Sequence, residues 1–298
     1  MTTAEPDRSA ADLLTGVWRQ QVGDLLALQG VVERREPDAV HRFRIASRTL
    51  RSSLRTFSGL VDGDHPQHLR VELSWAGTPL GSARDAEVVR IWLLDRLAVE
   101  PVDGATRARL SNEVQSLLTD AEEESWCTAL EMFETRRWDA FRRDAAAFAA
   151  GPPWNGHAAG PAAEATRAAM RHDWTKVLRG LAELPEEPSD PELHEVRRRA
   201  RAARFTAEIA VPVHGKPAGR IQKTARRMQQ VLGEHQDTVI AQGVLRRLGS
   251  DTRRYGADPF TYGRLQALAE AEAQQARERF ARLRSRAERP ALRTWLED

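Results

Sequence analysis

The 298 residues carry 45 Lys and Arg against 43 Asp and Glu, a formal net charge of +2, so any affinity for anions must come from where cations cluster rather than from their excess. One cysteine, Cys127, excludes an intrachain disulfide and points to a reducing compartment. Hydrophobic residues at 41% support a sizeable core, and no run approaches the roughly 18 apolar residues of a membrane span. With an N-terminus that lacks an apolar, basic-flanked leader, this gives the expectation of a cytoplasmic protein without membrane association.

Residues 1–10 read as a frayed tail. An amphipathic helix is expected over 11–35, with Leu14, Trp18, Val22, Leu25 and Val32 on one face. Pro37 ends it, and Asp38 is the expected cap of a second helix running to Phe57. After a break at 59–66, a third helix is expected from about 65 to 97, kinked or interrupted by Gly77, Pro79 and Gly81. Residues 101–104 make a turn, and 105–150 are expected to be helical with a break near 134–138. No stretch alternates as a strand would.

The Pro- and Gly-rich run GPPWNGHAAGP, residues 151–161, divides the chain into halves of 11–150 and 162–298. Beyond it the periodicity predicts helices over 162–183, 191–211, 217–248 and 260–289 and a short one near 292–296. The breaks between them are PEEPSDP, PVHGKPAG and the 249–259 region. Four principal helices on either side of the connector make the chain all-α and suggest duplication.

The second helix carries the strongest signal. In VHRFRIASRTLRSSLRTF, residues 40–57, His41, Arg44, Arg48, Arg51 and Arg55 recur at spacings of three and four and share one side. Val40, Phe43, Ser47, Leu50, Leu54 and Phe57 gather on another. The cationic stripe is about 20 Å long, which suits an extended anion better than a small ion. A charged stripe is ordinarily a solvated face, but LHEVRRRARAARF repeats the spacing 153 residues later as His194, Arg197, Arg201 and Arg204. Glu208 stands where Arg55 would recur.

A second pattern is also doubled: Leu80-Gly81-x3-Asp85 returns as Leu232-Gly233-x3-Asp237. The glycines read as close helix packing, and the two aspartates as carboxylates that orient nearby guanidinium groups. Arg220, Lys223 and Arg227 repeat the three-then-four spacing once more, as a candidate extension of the same path.

These two motif pairs, with LGSARDAEVV after the first stripe and LGEHQDTVI after the second, resemble the halves of a CHAD domain, the conserved histidine α-helical domain. The resemblance covers roughly residues 11–298. It implies two pseudo-twofold-related four-helix bundles around a basic central channel that binds inorganic polyphosphate. Some members associate with polyphosphate granules, so proteins at such granules are candidate partners. The second stripe often carries lysine where this chain has Arg201, a change that keeps the charge but alters donor geometry.

The expected mechanism is binding by convergence of two cationic stripes, each Arg meeting phosphate oxygens through its planar fork, with no cofactor, metal or catalytic residue. His41 and His194 would add charge on mild acidification. A phosphoanhydride-processing enzyme is the alternative, but the alternating Glu-x-Glu-x-Lys signature of a CYTH triphosphatase is absent, and the histidines lack metal-ligand spacing. Sequence-independent nucleic-acid binding is a second alternative, disfavoured by the few aromatic residues, at 6%.

Overall fold

The computed structural model describes residues 8–78, 80–250 and 259–297, without the side chains of 81–86, 117–118, 121–122 and 125. The first half holds α1 (Ala10–Glu33), α2 (Ala39–Thr56), α3 (His65–Gly77), α4 (Leu80–Val99), α5 (Gly104–Phe133) and α6 (Arg136–Ala150). The second holds α7 (Ala162–Ala182), α8 (Asp190–His214), α9 (Lys216–Ser250), α10 (Pro259–Ala287) and the short α11 (Thr294–Glu297). Among the described residues every regular element is helical, and the all-α expectation stands.

Side chains start several of these helices by satisfying orphan amides. The Ser9 hydroxyl accepts from Asp12 N, the Asp103 carboxylate from Thr106 N and the Thr135 hydroxyl from Trp138 N. At α8, Ser189 and Glu192 form a reciprocal capping box. The expected cap at Asp38 is different in kind. Asp38 stands at the N-cap position of α2 in the left-handed region, φ 58°, and makes no capping bond, because Arg35 (φ 52°) and Asp38 together fold the tight α1–α2 turn.

Of two further boundaries, the interruption within 65–97 falls where Gly77, Pro79 and Gly81 were expected to place it, and the end of α8 departs from expectation. The stretch 65–97 is two helices, α3 and α4, where the second half has the single 35-residue α9. Pro79 lies outside the described residues, but its sequence position explains the difference: it has no N–H to donate, and the matching Val231 does. Conversely α8 continues through Pro212 to His214 and stops at Gly215, whose φ of 62° suits glycine.

The apolar faces fill three cores. The first joins α1, α2, α3, the end of α5 and α6, with Trp18, Phe43, Trp138 and Phe141 fully buried. The second joins α7, α8, the first half of α9 and the end of α10 around Met170, Trp174, Val196 and Ile221. The third belongs to neither half alone: Val89, Leu93 and Leu97 of α4 and Leu110 and Val114 of α5 pack with Val244, Leu245 and Leu248 of α9 and Leu265 and Ala269 of α10. Polar contacts brace it, since Glu272 of α10 accepts from Trp92 Nε1 (2.8 Å) and Arg96 Nη2 (2.9 Å), and Tyr262 donates to Glu113 (2.6 Å).

The duplication is visible in the packing. Ser53 of α2 donates to Gln21 of α1 (2.6 Å), and Thr206 of α8 donates to Asp173 of α7 (2.6 Å), so the same helix pair is joined at the same place in each half. The connector is tied to the first half, with Trp154 stacked on Trp18 at 5.2 Å and Asn155 N bonded to Leu60 O.

Candidate functional site

Helices α2 and α8 pack against each other, and their cationic sides open into a cleft of about 650 Å³ walled by α3 and α7. Arg48, Arg51 and Arg55 reach it from α2, and Arg198, Arg199 and Arg201 from α8. Arg70 on α3 and Lys176 and Arg179 on α7 complete the charge. Two carboxylates, Asp173 and Glu195, share the lining. Asp173 is buried and accepts from Thr206, while Glu195 meets Arg198 (2.8 Å) and Arg199 (3.2 Å). Both therefore already serve protein groups, and the surplus is strongly cationic.

Crowding leaves its mark on these guanidinium groups. Arg201 is pushed down to about 9, first by burial and then by repulsion from Arg48, Arg197, Arg51 and Arg198. Arg51 is lowered by burial and by Arg70, Arg55 and Arg198, and Arg70 by burial and Arg55. Among the described residues, Arg51, Arg55 and Arg201 pair with no carboxylate, and the buried Arg70 Nε meets no acceptor. An anion placed here gains charge-assisted hydrogen bonds and relieves the repulsion together.

The two stripes thus meet, though not in the register of their repeat. Arg48, Arg51, Arg55 and Arg201 line the cleft, whereas His41, Arg44, His194, Arg197 and Arg204 do not. Arg44 and His41 are half-buried, one and two turns up α2 from Arg48. Arg197 points along α9, its Nη2 3.4 Å from where a Cβ on Gly233 would sit, and its Nε is buried without an acceptor among the described residues. Gly233 therefore makes room for a guanidinium as well as for helix packing. His194 is exposed, its Nδ1 3.2 Å from Gln236 Oε1. Arg204 is committed to Glu208 (2.7 Å) and Gln229 (2.8 Å), so the residue that replaces the last arginine of the stripe neutralises the one before it. Asp237 is half-buried on α9, and the side chain of Asp85 lies outside the described residues. Arg220, Lys223 and Arg227 are exposed on α9, away from the cleft.

Sequence reasoning missed Arg70, Lys176, Arg179, Arg198 and Arg199. The run of three arginines at 197–199 offered two registers, and the exact repeat favoured the one that faces α9. The spacing of Arg198, Arg201 and Phe205 was the available sign of the cleft face. Gly180 holds Arg199 in place: a Cβ there would lie 2.6 Å from its Nη1 and 3.0 Å from its Cδ. In Gly180→Ala the helix gains about 1 kcal/mol of propensity while Arg199 is driven from its contacts with Lys176 O and Glu183. The expected result in thermal melts and anion titrations is near-unchanged stability with anion affinity reduced about threefold, since roughly one phosphate contact is disturbed.

Among the described residues, no helix is long and apolar enough to cross a membrane, and no three His, Cys, Asp or Glu side chains group as a metal site. In comparisons with known proteins, the chain is 28% identical over 250 residues to the uncharacterized proteins MT2285 and Rv2226 of two Mycobacterium tuberculosis strains. The match takes in 83% of this chain and 47% of each relative, so the chain spans about half the length of the curated relatives it matches. Its fold matches PptA from Streptomyces chartreusis with a TM-score of 0.75 at 24% identity, over 93% of this chain and 99% of that one. It also matches the CHAD domain from the plant Ricinus communis, with a TM-score of 0.66 at 20% identity, over 99% and 94%. The model of the CHAD domain matches residues 16–246, which is most of the chain and of all three cores, and the protein belongs to the CHAD-domain family.

Proposed function

We propose that the protein binds inorganic polyphosphate in the cleft between α2 and α8 and holds it without turning it over. The observation that carries this reading is the group of nine cations around two already-engaged carboxylates, contributed by both halves to one cavity. Polyphosphate offers a dense row of oxygens to match such a group, and arginine meets phosphate through a planar fork of donors. The cleft's carboxylates are spent on Thr206 and on Arg198 and Arg199, which favours binding over phosphoanhydride chemistry. On this reading the protein works in the cytoplasm, in contact with polyphosphate granules and the proteins there.

Calorimetric titration with polyphosphates of graded length, alongside an assay for released orthophosphate, tests it. Saturable binding without release is expected; no binding, or steady release, would sink the proposal. Competition with DNA at fixed salt separates the remaining alternative, because preferential retention of DNA would make this a nucleic-acid-binding protein. The pH dependence has a definite sign. Burial and the surrounding Arg48, Arg197, Arg51 and Arg198 pull the Arg201 side chain down to about 9, so its charge is the one in the cleft most weakened by alkali in the unliganded protein. Affinity should therefore fall as the solution becomes alkaline, with proton uptake accompanying binding there, because a bound polyanion restores the Arg201 charge.

A further inference from the structure

We infer that the anion track leaves the cleft on one side only, across the outer face of α7; this rests on the polyphosphate reading above and adds the path of a long chain. A groove of about 390 Å³ runs along α7, lined by Ala168, Arg171, His172, Thr175, Lys176 and Arg179. Lys176 and Arg179 line the central cleft as well, so these two side chains border both cavities and can pass an anion from one to the other. No carboxylate lines the groove. From 168 to 179 it extends about 16 Å at the rise of an α-helix, room for several more phosphates than the cleft alone holds.

The duplication supplies an internal control. Buried positions 10, 14, 18, 22 and 25 of α1 match 162, 166, 170, 174 and 177 of α7, an offset of 152 residues. Under that offset Arg171, His172, Lys176 and Arg179 correspond to Arg19, Gln20, Asp24 and Ala27. The α1 face thus carries one cation and one carboxylate, and Asp24 is held by Gln20 at 2.8 Å. Its α7 counterpart carries three permanent cations and a histidine. The fold thus presents the same helix face twice, and only the α7 copy carries the charge that attracts a polyanion.

The consequence is a dependence on chain length. A ligand short enough to sit in the cleft touches only the shared Lys176 and Arg179, whereas a long chain also runs over His172 and Thr175. Arg171 is unsuited to the test because its Nε donates to Leu296 O and so helps seat α11. His172→Glu/Thr175→Glu changes two exposed positions and leaves every residue of the cleft in place.

Titration of the full chain with tripolyphosphate and with long-chain polyphosphate should show long-chain affinity reduced about tenfold, with a shallower salt dependence, and tripolyphosphate affinity unchanged. Ala168→Glu, at the far end of the groove, should reproduce the pattern and guards against a local effect of the double variant. Equal weakening of both probes, or no change in either, would overturn the inference while leaving the cleft reading intact. Failure of both probes to bind the unaltered protein would instead remove the reading beneath it.

Discussion

Arg51→Glu/Arg55→Glu/Arg201→Glu should lose polyphosphate binding by about a thousandfold at moderate salt and flatten the salt dependence, because roughly three phosphate contacts become repulsions. The three residues come from both halves and pair with no carboxylate among the described residues, so the loss cannot be traced to a broken ion pair. Stability should move the other way. A carboxylate at 201 sits among Arg48, Arg197 and Arg198, the groups that now depress the Arg201 guanidinium. Circular dichroism and thermal melts should therefore show unchanged helix content and an equal or higher midpoint in the absence of ligand. Affinity within tenfold of the unaltered protein would place the binding site elsewhere.

Leu245→Ala should cost about 2–5 kcal/mol, the range for emptying a well-packed leucine site. Leu245 is buried in the core that α4, α5, α9 and α10 build together. The informative part is where the loss is felt. If that shared core couples the duplicated halves, amide hydrogen exchange should accelerate together in α1 and in α7, although neither helix touches the cavity, and denaturant unfolding should keep one transition. Faster exchange confined to α7 to α10, with two resolved transitions, would show that the halves fold as separate units.

Much of the fold was legible in the sequence because its signals are local. Helical periodicity and Pro or Gly punctuation placed the helices of the second half to within a few residues, and the break at Glu134–Thr135 fell inside its expected window. Pro212 misled, since a proline near a helix end can be carried when the bond it forgoes lies in the last turns. The third core was not legible: Val89, Leu93, Val244 and Leu265 look like ordinary apolar positions, and only tertiary structure shows that they face the opposite half.

The site was legible in part for the same reason. Repetition picked out α2 and α8 as the pair that meets at the cleft and gave Arg48, Arg51, Arg55 and Arg201. It could not say which side of α8 faces the cleft, so Arg198 and Arg199 were passed over for Arg197 and Arg204. Arg70, Lys176 and Arg179 stand once each on walls that no repeat marks, and a lone cation on an amphipathic helix is indistinguishable from solvated decoration.

The interruption between α3 and α4 sets the support of the cleft's α3 wall apart from that of α8. Helix α3, thirteen residues carrying Gln67, Arg70 and Ser74, stops at Gly77 before the distal core begins. Helix α9 spans both the second core and the shared one without a break, and α8 packs along it. The cations of the cleft therefore stand on unlike supports: Arg70 rides a short helix seated only in the first core, whereas those of α8 ride a helix backed by one continuous element that reaches into the core common to both halves.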